Sequence, residues 1–124
     1  MFWGKQEVSV GHKASFYDNS SVDPRWGGAT KSGEMFDENL LTAAVPPSQW
    51  KEMKGKQVKV TNTETGKSVV VKINDTGGFE KYGRSIDLSK AAFSTIGDTK
   101  KGVIDVKIEP MQTLGKTDGV TNAR

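Results

Sequence analysis

Glycine and proline constrain this fold most, because they interrupt the chain too often for long helices. Fourteen glycines and four prolines are spread over 124 residues. Both residue types mark turns and end regular elements. Glycines such as Gly55, Gly66, Gly77 and Gly83 leave only short segments between them. The spacing therefore favours several short strands.

Three segments have the composition of strands. Residues 57–61, 68–73 and 103–108 are rich in β-branched side chains and partly alternate between apolar and polar, which is typical of strands with one buried face. Residues 63–66 separate the first two and predict a hairpin turn. Segments 13–17 and 41–45 are shorter strand candidates. We therefore expect a mainly β protein.

Two short helices are expected beside these strands. Ser89 is a candidate N-cap for a helix over 90–96, and Gly97 follows as a stop signal. A second turn of helix is expected over 49–53, where Ser48 follows two prolines and would serve as the cap. Both predicted helices are short.

Composition excludes several kinds of chemistry. The chain has no cysteine, so it has no disulfide, no thiolate metal site and no cysteine nucleophile. Its single histidine, His12, argues against a Ser-His-Asp triad or a histidine-rich zinc site, and we expect a structural or surface role for it. We predict no metal and no cofactor.

Nucleic-acid and membrane partners are also not expected. The net charge of only +3 and the lack of a recognisable module argue against nucleic-acid binding. No apolar run is long enough to span a bilayer.

Carboxylates beside glycines are the remaining candidates for chemistry. Glu34, Asp75 and Asp87 lie on predicted loops that adjoin strands, where a scaffold can position functional side chains. Cleavage of a glycosidic bond requires a protonated carboxylic acid at the leaving oxygen and ordinarily a second carboxylate. From the residues alone, local roles are favoured over catalytic ones, since Asp75 fits an Asx-turn, Asp87 fits the start of a helix, and Glu34 fits a turn.

Six motifs in this order resemble the rare lipoprotein A (RlpA)-like double-psi β-barrel proteins. They lie at residues 11–17, 30–37, 41–44, 58–62, 68–75 and 84–92. The resemblance covers nearly the whole chain and implies a six-stranded double-psi β-barrel with one or two short helices. We accordingly expect an N-terminal extension at 1–10, the barrel domain at 11–110 and a polar tail at 111–124.

Characterised members of that family include lytic transglycosylases that cut the glycan strands of bacterial peptidoglycan. An acid protonates the bridging oxygen, and the 6-hydroxyl of the muramyl sugar attacks its own anomeric carbon, which leaves a 1,6-anhydro end. The resemblance implies functional roles for Glu34 and Asp75. It also implies an active-site histidine directly after the Thr-Ala-Ala motif, where this chain has Val45, and an arginine where this chain has Thr76.

Other segments are more similar to bacterial expansins, which share the barrel and loosen cell walls without measurable hydrolysis. The similarity lies at residues 45–50, 86–89 and 93–97. Asp87 matches the acid on which expansin activity depends. The sequence thus favours a peptidoglycan lytic transglycosylase and leaves an expansin-like, non-hydrolytic wall-binding module as the alternative.

The expected catalytic residues are Asp75, Asp87 and Glu34, with either aspartate as the acid. The expected substrate-binding residues are Tyr17, Trp26, Thr42, Asn74 and Trp50, among which the aromatic faces would pack against the C–H faces of sugar rings. The expected partner is peptidoglycan or another wall glycan, bound by a monomer. Such a protein would act in the cell envelope or periplasm, outside the cell if a signal was trimmed, or on a phage particle.

Overall fold

A computed structural model describes residues 9–19, 29–79 and 82–111 of the chain. In these residues it contains six strands and two short α-helices, and a 3-10 turn lies at Thr99–Lys101. The strands are β1 (Ser9–Tyr17), β2 (Thr42–Val45), β3 (Gln57–Asn62), β4 (Ser68–Thr76), β5 (Ile86–Ser89) and β6 (Ile104–Pro110), and the helices are α1 (Pro47–Met53) and α2 (Lys90–Ile96). The prediction of a mainly β protein is confirmed.

The six strands form a closed barrel in the order β1-β5-β2-β4-β3-β6. Two neighbouring pairs, β1 with β5 and β2 with β4, are parallel, whereas the other four pairs are antiparallel. Strand β5 lies between β1 and β2, although it follows β4 in the sequence. This order brings residues from the beginning, middle and end of the chain onto one face of the barrel.

The interior of the barrel is filled by alternate apolar side chains of the strands. Val58 and Val60 of β3, for example, are fully buried between more exposed neighbours. Helix α2 adds Ala92, Phe93 and Ile96, which are fully buried in the same cluster. Because strand side chains alternate between faces, the polar residues between these positions point away from the core.

A β-bulge in β4 changes this alternation at one position. Ala43 of β2 lies opposite Ile73, but Ala44 lies opposite Asp75, so Asn74 is an additional residue in β4. Without the bulge, Asp75 would share the core-facing side of Ile73, two residues before it. The bulge therefore directs the Asp75 carboxylate to the outer face of the barrel.

The helix ends confirm one expectation and correct another. Ser89 caps α2 as expected, because its Oγ accepts a hydrogen bond from the backbone N–H of Ala92 at 3.3 Å, and Gly97 ends the helix. Ser48, expected to cap the first helix, lies inside α1, which begins at Pro47 with no side-chain cap. Proline suits the first helical position, because it lacks an N–H and its φ is preset.

Candidate active site

A row of four residues crosses four adjacent strands on the outer face of the barrel. Ala44 of β2 lies opposite Asp75 of β4 and opposite Asp87 of β5, and Asp87 lies in turn opposite Ser15 of β1. Opposite residues on neighbouring strands place their side chains on the same face. The small methyl group of Ala44 is thus the side chain between the two aspartates. We call Ser15, Asp87, Ala44 and Asp75 the acidic row.

Asp87 is the half-buried carboxyl group of the acidic row. Its Oδ1 accepts a 2.5 Å hydrogen bond from the Ser15 hydroxyl. Burial raises the pKa of Asp87, and the negative charge of Asp75 raises it further, whereas the Ser15 hydrogen bond and the charge of Arg84 oppose the shift. The net effect is a raised pKa, which favours the protonated form that a general acid requires.

Asp75 is held by three hydrogen-bond donors. Its Oδ1 accepts bonds from the backbone N–H groups of Lys31 and Thr76, each at 2.9 Å, and its Oδ2 accepts a bond from the Tyr17 hydroxyl at 3.2 Å. Burial, and then the Asp75 charge, raise the pKa of Tyr17, so its hydroxyl remains a donor. The Tyr17 ring stacks on Phe36 with ring centroids 4.3 Å apart. The Asp75 carboxylate therefore has a defined orientation.

Glu34 lies on an exposed loop beside this row. Its Oε2 is 3.1 Å from Lys72 Nζ, and its Oε1 accepts hydrogen bonds of 3.3 Å from Asn74 and Ser32. The hydrogen bonds from Lys72 and then Asn74 lower the pKa of Glu34. This residue therefore favours the ionised form, which suits binding better than proton donation.

The loop that carries Glu34 is attached to the bulge of β4. The backbone N–H of Ser32 donates to the Asn74 carbonyl at 3.1 Å, one residue from the bond between Lys31 and Asp75. Glu34 is thereby positioned close to Asp75 along the edge of the same face. The structure brings together Tyr17, Asp75 and Asp87, with Glu34 at the margin of the group.

The other expected binding residues have different positions. Thr42 is only 8% exposed on β2, and Asn74 is buried at the bulge. The Thr42 Oγ1 and Asn74 Oδ1 atoms have no hydrogen-bond partner within the described ranges. Trp50 is half-buried and packs against the hydrophobic core, while Trp26 lies outside the described residues.

One sequence expectation about local geometry is corrected, and the structure shows the environment of Val45. Asp75 and Asp87 were expected on loops, but both lie within strands, because β4 continues through the bulge and β5 begins at Ile86. Val45, at the position of the family histidine, is 0% exposed and belongs to the core cluster. Its side chain therefore points to the opposite side of β2 from Ala44.

Three residues near the site were not identified from the sequence. Ser15 and Arg84 are linked by a 2.8 Å hydrogen bond from Arg84 Nη1 to Ser15 Oγ, and Tyr82 exposes 66% of its surface beside Arg84. A weak signal for Ser15 is its position two residues before Tyr17, which places both on one face of β1. Arg84 and Tyr82 have no such signal, since they lie in the irregular segment before β5.

Two further properties concern metal ions and membranes. Within 9–19, 29–79 and 82–111, no group of three or more His, Cys, Asp or Glu side chains is arranged to hold a metal ion. Among the helices of the described residues, none is sufficiently long and apolar to cross a membrane.

His12 is half-buried on β1, and its Nδ1 lies 2.8 Å from Ser85 Oγ.

The barrel is similar to two solved structures. Streptomyces papain inhibitor superposes with a TM-score of 0.67 at 21% identity, over 86% of this chain and 96% of that one. A mutant expansin of Clavibacter michiganensis in complex with cellohexaose superposes with a TM-score of 0.65 at 19% identity, over 90% of this chain and 54% of that one. These similarities define the fold as a double-psi β-barrel.

Sequence comparison identifies the family of the chain more specifically than the fold does. Residues 9–108 match the family model described as lytic transglycolase. A probable endolytic peptidoglycan transglycosylase RlpA of Nostoc sp. is 44% identical over 96 residues, which are 77% of this chain and 24% of that protein. The endolytic peptidoglycan transglycosylase RlpA of Vibrio cholerae is 42% identical over 100 residues, or 78% of this chain and 34% of that protein.

The chain therefore belongs to the lytic transglycolase family of double-psi β-barrel proteins. It spans about a quarter to a third of the length of these RlpA relatives. A shorter relative, an uncharacterized protein of Synechocystis sp., is 35% identical over 99 residues and is matched over 96% of its length.

Proposed function

We propose that this chain is a peptidoglycan lytic transglycosylase domain in which Asp87 is the general acid. The observation that carries this proposal is the acidic row, in which a half-buried carboxyl group with a raised pKa lies on the opposite side of Ala44 from a second carboxylate. The names of the RlpA relatives support peptidoglycan as the substrate.

The acidic row has the groups that the reaction needs. Asp87 would transfer its proton to the bridging oxygen as the bond from that oxygen to the anomeric carbon breaks. The Asp75 carboxylate would stabilise the positive charge on the sugar ring and accept the proton of the 6-hydroxyl as this oxygen attacks the anomeric carbon. The products are a free hydroxyl on one sugar and a 1,6-anhydro ring on the other. Proton exchange with solvent then restores both carboxyl groups, and no water is consumed.

Neighbouring residues would bind the glycan and hold the carboxyl groups. Tyr17 orients Asp75 through its hydroxyl, and Glu34 with Lys72 offers an ion pair at the margin for sugar hydroxyl or amide groups. Thr42 and Asn74, whose side-chain oxygens are buried, remain predictions as substrate-binding residues. Trp26 and Trp50 remain predictions as sugar-binding residues.

Mass spectrometry of digested peptidoglycan tests this assignment. Peptidoglycan, both intact and stripped of stem peptides, is incubated with the wild type, Asp87→Asn, Asp75→Asn and the control Asp105→Asn. Asp105 is an exposed carboxylate on β6, which is paired with Lys13 at 2.6 Å and is not a member of the acidic row. We expect 1,6-anhydro ends from the wild type and the control, and a loss of about 100-fold or more for Asp87→Asn. Undiminished cleavage by Asp87→Asn would exclude this residue as the acid, and new reducing ends would indicate a hydrolase.

An expansin-like, non-hydrolytic binding module is the second candidate. The observation that favours it is the packing of Val45 into the core, because this side chain can neither transfer a proton nor donate a hydrogen bond. Sedimentation with purified sacculi distinguishes the two functions. Binding without new glycan ends, at all protein concentrations, would support the binding module.

The proposed substrate also suggests where the protein acts. A protein that cleaves peptidoglycan must act in the cell envelope or periplasm, or outside the cell after secretion. On a phage particle, it would act on the wall that the particle crosses. Immunodetection in fractionated cells and in purified particles would distinguish these locations. Gel filtration of the free protein would test the expectation of a monomer.

A further inference from the structure

Arg84 occupies a defined position in the segment before β5. Its guanidinium carbon lies 5.4 Å from the ring centroid of Tyr82 and 5.7 Å from that of Phe79. Phe79 is buried, so one of the two rings belongs to the packed part of the structure. Contacts of a guanidinium with aromatic rings are favourable and restrict the position of the arginine side chain.

A chain of two hydrogen bonds joins Arg84 to the proposed acid. Arg84 Nη1 donates to the Ser15 hydroxyl at 2.8 Å, and the same hydroxyl donates to Asp87 Oδ1 at 2.5 Å. A hydroxyl group has one proton to donate and can accept bonds at its lone pairs. By occupying an acceptor position with a charged donor, Arg84 directs the single proton of Ser15 toward Asp87.

We propose that Arg84 is a positioning residue for Asp87 and that it acts through the hydroxyl of Ser15. The proposal rests on the proposed function only in taking Asp87 as the acid. The hydrogen bond from Ser15 engages Oδ1 of Asp87, which makes the other oxygen, Oδ2, the better site for the transferable proton. Arg84 and Ser15 thus determine which oxygen of Asp87 faces the glycan with a proton.

Three groups from the surrounding elements act on the ionisation of Asp87, and a fourth, Tyr17, lies near it. From β1, Ser15 donates a hydrogen bond, and Tyr17 lies near enough for its own pKa to be raised by the Asp87 charge. From β4, the charge of Asp75 raises the pKa of Asp87, while Arg84, from the segment before β5, lowers it. Removal of Arg84 or Ser15 therefore has a definite direction, namely a further rise in the pKa of Asp87.

The direct test is a titration of the Asp87 side chain by carbon NMR in the full chain without substrate. The variants are Arg84→Met, Arg84→Lys, Ser15→Ala and the double variant that combines Arg84→Met with Ser15→Ala. Lys101→Met is the control, because Lys101 pairs with Glu64 at 2.8 Å and does not act on Asp87. We expect an upward shift of the Asp87 midpoint in Arg84→Met and a smaller shift in Arg84→Lys, since lysine keeps the charge but lacks the planar fork.

The double variant tests whether Arg84 acts through Ser15. We expect Arg84→Met to shift the Asp87 midpoint less in the Ser15→Ala background than in the wild type. In the glycan cleavage assay, Arg84→Met should lower kcat about 10- to 100-fold with little change in KM, and the upper limb of its pH profile should move in the same direction as the titration.

Two results would overturn the proposal. The first is an Asp87 midpoint in folded Arg84→Met that moves no more than in Lys101→Met. The second is an equal effect of Arg84→Met with and without Ser15, which would mean that Arg84 does not act through this hydroxyl. If Arg84→Met does not fold, an unmoved midpoint in Ser15→Ala contradicts the proposal. Because the titration needs no substrate, it remains decisive even if the chain cleaves no glycan.

Discussion

Asp75 and Asp87 face each other across Ala44, although they lie on strands that are not hydrogen-bonded to each other. Ala44 of β2 is the register partner of both residues, and the charge of Asp75 contributes to the raised pKa of Asp87. A negative charge close by disfavours the ionised form of a carboxyl group, so the Asp75 carboxylate favours a protonated Asp87.

Because the pKa of Asp87 is raised, the free energy of unfolding of the wild type should decrease as the pH rises. The native state binds this proton more tightly than the unfolded chain does, so the Asp87 contribution is fully present below the unfolded pKa and is lost as the pH rises through the folded pKa. The Asp87→Asn variant has no ionisable group at this position. Its free energy of unfolding should therefore increase relative to that of the wild type as the pH rises. Urea denaturation over a pH series measures the difference. Asp105→Asn controls for the loss of a carboxyl group outside the acidic row, and a constant difference between Asp87→Asn and the wild type at all pH values would contradict the expectation.

Tyr17→Phe tests how strongly the hydroxyl orients Asp75. The ring should remain stacked on Phe36 while the 3.2 Å hydrogen bond to Asp75 is lost. We expect a decrease of about 1 kcal/mol in the free energy of unfolding and a roughly tenfold decrease in kcat. The same substitution in an Asp75→Asn background should have a much smaller effect on kcat. Equal effects in both backgrounds would show that Tyr17 acts independently of Asp75.

Val45→His tests whether the position of the family histidine can be restored in this chain. Val45 is 0% exposed in the core, so an imidazole at this position would be buried without an assured hydrogen-bond partner. We expect a loss of about 2 kcal/mol or more in the free energy of unfolding and no gain in cleavage. Val45→Ala controls for the loss of packing alone. An increase in cleavage by Val45→His would indicate that this position reaches the acidic row.

Ser89→Ala should destabilise the junction of β5 and α2. The buried Ser89 hydroxyl donates to the Leu40 carbonyl and accepts from the backbone N–H of Ala92. Loss of the N-cap costs about 1 kcal/mol, and the buried Leu40 acceptor loses its donor as well. The control is Ser94→Ala, whose exposed hydroxyl bonds only within α2. Similar unfolding free energies for the two variants would contradict the assigned role of Ser89.

Tyr82→Ala should weaken glycan binding and cost a small part of the stability, because the ring contacts Arg84. The ring is 66% exposed beside Arg84, which gives a sugar ring an accessible aromatic face next to the proposed acid. We expect the Kd for glycan strands, measured in the Asp87→Asn background, to rise about threefold to tenfold, which corresponds to roughly 1 kcal/mol. Val103→Ala, at an exposed apolar side chain in the segment after the 3-10 turn, is the control. An unchanged Kd for Tyr82→Ala would exclude this surface.

Local sequence signals predicted the elements whose interactions are local. The hairpin between β3 and β4 and the helix α2 with its Ser89 cap were identified correctly, because turn chemistry and capping depend on residues a few positions apart. Strand β5 was not identified, since its four residues are too few for a recognisable alternation. Its pairing with β1 and β2 comes from residues more than 40 positions away in the sequence.

For the candidate site, the sequence likewise predicted the chemical groups but not their positions. The sequence identified Asp75, Asp87 and Glu34 through residue chemistry and motif resemblance, since carboxyl groups and their neighbours are visible in the chain. It did not reveal that a bulge at Asn74 directs Asp75 away from the core, that Val45 points inward, or that Arg84 reaches Asp87 through Ser15. The types of chemical group are a property of the residues, but their faces and distances follow from strand register and barrel closure, which depend on pairing between distant parts of the chain.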